Sequence, residues 1–80
     1  MREYIATFHT HLSALMTNRS LSALGLAARM MPVPRKLSSS CGTCVLYLAQ
    51  EPHLEAMDED VEAVYEKTGS ESYTTVMRTE

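Results

Sequence analysis

No stretch of this chain approaches the roughly 20 consecutive apolar residues that a membrane-spanning helix needs. The first apolar run, Tyr4 to Phe8, already stops at His9, Thr10 and His11. A helical bilayer span is excluded and no secretory leader is expected, so the sequence reads as cytoplasmic. Basic charge is equally scarce: seven Lys and Arg stand against ten Asp and Glu, for a formal net charge of -3. Sequence-independent binding to nucleic acid needs a basic face, and this composition does not supply one. Cysteine is limited to two residues separated by two others. In a reducing compartment such a pair suits reduced, catalytic or metal-binding thiols better than a structural staple. Long polar or single-residue tracts are missing, which leaves an ordinary globular composition, 45% hydrophobic and 21% charged, and predicts a fully folded chain. Residues 1–80 read as one small domain, with room for one core and one site.

What is present alternates between strand and helix patterns. Glu3 to Phe8 is rich in β-formers and predicts a strand. His9 or Thr10 then marks a helix start, and a helix over 10–24 ends at Gly25, a residue suited to the left-handed cap. Leu26 to Met31 predicts a second strand, and Thr43 to Leu48, apolar on both faces, a central third. Pro52 fits the first turn of a second helix in which Leu54, Met57, Val61 and Val64 repeat at helical spacing and Asp58, Glu59, Asp60 and Glu62 take the solvated side. Gly69 would close that helix, and Ser72 to Arg78 would form the last strand. The expected order is β-α-β-β-α-β, an α+β ferredoxin-like fold with two helices on one face of a four-stranded antiparallel sheet. In that topology the end of the first strand lies beside the start of the third. Cys41 would then sit close to the N-terminus of the first helix, where unpaired N–H groups favour an anion. The first helix is apolar on two sides, Ala14, Leu21 and Leu24 on one and Leu12, Leu15, Met16 and Ala23 on the other. By analogy with other ferredoxin-like domains, a homodimer is expected to cover what the sheet does not.

The residues that carry chemistry cluster between Pro32 and Gly42, in Pro-Val-Pro-Arg-Lys-Leu-Ser-Ser-Ser-Cys-Gly. Two prolines stiffen the backbone, Arg35 and Lys36 add positive charge, and Ser38, Ser39 and Ser40 add hydrogen-bond donors. Gly42 lets the chain turn immediately after Cys41. A cysteine is a nucleophile as its thiolate, and neighbouring cations and donors favour that form. Cys41 is therefore the candidate nucleophile and Arg35 its candidate charge partner. Ser39, Ser40, Gly42, His9 and Thr10 are the candidate binding residues around it. A buried, inert cysteine in an ordinary serine-rich turn is the competing reading.

Pro32-Val33-Pro34-Arg35 followed by Leu37-Ser38-Ser39-Ser40-Cys41-Gly42 resembles the signature of a family of small bacterial proteins, a domain of unknown function described as selenium/sulfur carrier-like. The resemblance extends to Phe8, Thr10, Ala14, Leu15 and Gly25. It implies that Cys41 accepts a sulfur or selenium atom as a persulfide or selenide from a cysteine desulfurase-type donor and passes it to an acceptor protein. The chain would then be a group-transfer carrier more than a stand-alone enzyme, with no cofactor. Cys44 departs from the family pattern, in which that position is usually apolar.

Two other readings stay open. Cys41 and Cys44 have the spacing of a thiol-redox pair, although on an extended strand residues three apart point to opposite faces. His9 and His11 together with the two cysteines match zinc's ligand types, but no standard finger spacing is present and no metal is expected. Lastly, the chain could be a non-catalytic ferredoxin-like interaction module, in which case Cys41 would be dispensable.

Overall fold

Two segments apolar on both faces, Tyr4 to Phe8 and Cys44 to Tyr47, belong to the strands at the heart of an antiparallel sheet. The computed structural model describes residues 1–79. Its elements are β1 (Arg2–Phe8), α1 (His11–Ala23), β2 (Ala27–Pro32), β3 (Thr43–Ala49), a 3-10 turn at Leu54–Ala56, β4 (Val61–Lys67) and β5 (Tyr73–Arg78). The strands lie in the order β2-β3-β1-β4-β5. Phe8, at the end of β1, is therefore three positions before the first residue of α1 and close to the first residues of β3, with Thr7 opposite Cys44.

The expected ferredoxin-like β-α-β-β-α-β fold with four strands and two helices is overturned. There are five strands and one α-helix, because the segment read as a second helix is β4. The reason lies in which side chains must be buried. Val61, Ala63, Val64 and Tyr65 are all buried, and at 100° per residue Val61, Val64 and Tyr65 would share one face of a helix while Ala63 would fall on the opposite side. A strand alternates them to two sides, and β4, paired with β1 on one edge and β5 on the other, buries both. Upstream, Asp58 and Asp60 act as turn residues. The Val61 amide donates to the Asp58 carbonyl at 3.1 Å, and the Asp60 amide to the Asp58 carboxylate at 3.4 Å. Gly69, expected to close a helix, instead lies in the connection between β4 and β5.

The core lies on the α1 side of the sheet. Tyr4, Ala6 and Phe8 of β1, Val45, Tyr47 and Ala49 of β3, and Val61 and Val64 of β4 meet Ala14 and Leu21 of the helix. The Tyr4 and Tyr47 rings stack at 5.3 Å. Thr10 caps α1 by accepting a hydrogen bond from the Ser13 amide at 3.1 Å. Leu12 and Met16 stay exposed, and so does Leu24, which the sequence pattern groups with the buried Ala14 and Leu21. The opposite face of the sheet carries no helix. The β2–β3 loop crosses part of it, placing Lys36 to Ser38 against Tyr65 across an open cleft of about 350 Å³. Among the described residues no helix is long and apolar enough to cross a membrane.

Candidate functional site

The loop joining β2 to β3 is tied down at its base, where the Val33 amide donates to the Gly42 carbonyl at 3.1 Å. Gly42 has φ +75 with nothing within 4 Å of where a Cβ would stand. It is needed for its left-handed backbone and not to admit a close neighbour. Halfway along, the Leu37 amide donates to the Pro34 carbonyl at 3.0 Å, a tight turn that sends the chain back towards β1.

Two consecutive serines then anchor the segment to the sheet. Ser39 Oγ donates to the Phe8 carbonyl at 2.8 Å. Ser40 is held by Glu62: its Oγ donates to Oε2 at 2.7 Å, and its amide donates to Oε1 at 3.1 Å and to Oε2 at 3.4 Å. The same Oε2 lies 3.3 Å from His9 Nδ1. Burial pushes the Glu62 carboxyl up. The hydrogen bonds from the Ser40 hydroxyl and amide, together with the His9 ring, outweigh it and hold the group below the ordinary glutamate value.

Cys41 follows immediately. It is half-buried and packs against the edge of the core. Its Sγ lies 3.4 Å from the Thr43 carbonyl, a contact in which the thiol donates, and 3.9 Å from Ser39 Oγ. The α1 N-terminus is adjacent: His11 Nδ1 lies 3.4 Å from Thr43 Oγ1. Cys41, Ser39, Ser40, His9, Thr10 and Gly42 therefore share one end of the sheet, at the junction of β1 with α1. Thr10, however, is occupied in capping the helix. Arg35 does not join the group. It is exposed and, among the described residues, makes no hydrogen bond or ion pair. Lys36 and Ser38 face the cleft against Tyr65 instead.

Cys44 lies apart. It is fully buried in β3, opposite Thr7 and Met31 of the neighbouring strands, with its Sγ 3.7 Å from the Pro32 carbonyl. Burial, then the neighbouring Cys41, pushes its thiol up to about 11. A resolving cysteine needs access and a ready thiolate, and this environment offers neither. Both cysteines are free. His9 and His11 point to different partners, Glu62 and Thr43, and among the described residues no three His, Cys, Asp or Glu side chains converge as a metal site would require.

Glu62 is the residue that sequence reasoning missed, because a helical reading of 52–67 sends it to solvent. Its placement comes from a β-bulge. Phe8 pairs with Val61 and Thr7 with Ala63, which leaves Glu62 as the extra residue. The usable signal was the strand-like Val61-x-Ala63 pattern with a carboxylate between its apolar residues.

The family described as "Putative Se/S carrier protein-like" matches residues 3–68 of the chain, a span that holds the loop, Cys41 and Glu62 but not β5. The chain is also similar to the uncharacterized protein YtiA of Escherichia coli (strain K12), 33% identical over 45 residues, or 56% of this chain and 53% of that protein. The matched stretch thus spans about half the length of that relative. No solved structure matches.

Proposed function

Because the chain belongs to the Se/S carrier-like family, we propose that Cys41 is the atom carrier, taking up sulfur or selenium from a donor protein and passing it to an acceptor. The observation that supports this reading is the contrast between the two thiols. Cys41 is half-exposed on an anchored loop at the end of β1, whereas Cys44 is sealed in the sheet.

The transfer balances without an outside oxidant. The Cys41 sulfur attacks the outer sulfur of a donor cysteine persulfide, the donor S–S bond breaks as a new S–S bond forms on Cys41, and the donor thiolate takes the proton that Cys41 gives up. Handing the atom on repeats the exchange with an acceptor thiol. A selenium atom would follow the same course as a selenenylsulfide. Arg35, exposed on the same loop, is suited to meet an anionic group on the partner and not to contact the sulfur itself.

The test is intact-protein mass spectrometry without reductant, after incubation with a cysteine desulfurase and cysteine. Wild type and Cys44→Ser should gain the mass of one sulfur atom and Cys41→Ser should not. Uptake that survives in Cys41→Ser, or is absent from wild type, would sink the carrier role. A loss of two hydrogens requiring both cysteines would replace it with thiol-redox chemistry.

A further inference from the structure

Sulfur exchange between two proteins is sensitive to where the accepting sulfur points, since the attacking atom, the outer sulfur and the leaving sulfur must line up. A cysteine in the middle of a flexible connection meets that demand only if something fixes the residues beside it. Here both residues before Cys41 are fixed, Ser39 to β1 through the Phe8 carbonyl and Ser40 to β4 through the Glu62 carboxylate. The second anchor is the stronger, because it is charge-assisted and takes both the amide and the hydroxyl of one residue. It also has no counterpart within the loop itself. Arg35 and Lys36 are exposed, so the loop's own charges do not hold it in place.

The carboxylate reaches the loop because the bulge interrupts the β1–β4 ladder at that residue. Pairing resumes on either side, at Val61 with Phe8 and at Ala63 with Thr7. His9 braces the carboxylate from the β1–α1 junction at 3.3 Å, and the backbone of Glu62 is itself pinned, its carbonyl accepting from the Thr79 amide at 2.8 Å. An ordered carboxylate, on a strand rather than a loop, thus sits one residue away from the thiol. Residues of this kind hold a reacting group from behind.

We propose that Glu62 is the positioning residue for Cys41: aimed by the β-bulge, its carboxylate locks Ser40 so that the neighbouring sulfur is presented in one orientation at the end of β1. The inference rests on the reading of Cys41 as the sulfur-bearing residue. Glu62 touches neither donor nor sulfur; it acts through Ser40.

Two variants and two readouts test it. Glu62→Gln retains one acceptor for the Ser40 amide but loses the oxygen that accepts from Ser40 Oγ and from His9. Ser40→Ala removes the 2.7 Å bond at an exposed position where unfolding is not at issue. With the loop released, alkylation of Cys41 by iodoacetamide should rise about tenfold in Glu62→Gln, the scale of one charge-assisted hydrogen bond lost. The rate of sulfur uptake from a desulfurase should fall by a similar factor. Accessibility and transfer thus move in opposite directions, which a merely structural role would not produce. Cys44 serves as the internal control, since it reacts only when the sheet opens. The inference is overturned if Ser40→Ala and Glu62→Gln leave both rates at the wild-type value, or if Cys44 is alkylated in step with Cys41. Alkylation needs no donor, so wild type that takes up no sulfur would refute the carrier reading while the alkylation comparison still judges Glu62.

Discussion

The two cysteines are three positions apart in the sequence and differ sharply in access to solvent. Cys44 faces away from the helix side of the sheet, fully buried between β1 and β2, and its thiol is raised from 9.0 to about 11. A thiol whose folded value is raised contributes stability below its unfolded value, and that contribution is lost as the pH rises through the interval between the two. Urea unfolding of wild type and Cys44→Ala compared from pH 7 to 11 should therefore show a steeper alkaline loss in wild type between about 9 and 11. Parallel curves would mean that Cys44 is not sealed from water. The spacing of the cysteines suggested a redox pair as readily as a carrier thiol and its bystander. Burial argues for the second reading, and burial is a property of the sheet that no pair of residue names encodes.

Among the elements, α1 was the most legible, because its signals are local: a residue that can cap its start, a run of apolar residues on two sides, a glycine after the end. The structure places the helix at His11–Ala23 with Thr10 as its cap. Thr10→Ala should cost about 1 kcal/mol of stability, measured by chemical denaturation, and should leave Cys41 alkylation unchanged because the hydroxyl is committed to Ser13. No loss of stability would show the cap to be idle. The segment 52–67 was misread for a physical reason. Leu54, Met57, Val61 and Val64 do fall at helical spacing, but periodicity counts only the chosen apolar residues and ignores Ala63, which would fall on the far side of that helix and which the sheet also buries. Propensity did not settle the matter locally; pairing with β1 and β5 did. The same error hid Glu62, since a bulge exists only relative to a partner strand.

At the scale of the molecule, a chain of 80 residues buries a limited core, so each large side chain in it counts. Phe8 is fully buried and joins the core to the site, its ring against the helix side and its carbonyl on Ser39. Phe8→Ala should cost about 3–5 kcal/mol, lowering the melting temperature by roughly 4–8 °C per kcal/mol. A shift of only a degree or two in thermal unfolding would mean that the core closes over the gap. The sequence alone determined where most strands run, where the helix starts, and which loop holds Cys41, because alternation, capping and Pro/Gly punctuation are written in neighbouring residues. Only the tertiary structure decided that 61–67 is a strand, that Arg35 stands away from the sulfur while Glu62 comes up behind it, and that one cysteine is presented while the other is sealed. Each of these depends on a partner distant in the chain: backbone pairing, burial and charge contacts are set across the sheet, and a one-dimensional pattern records only half of each pair.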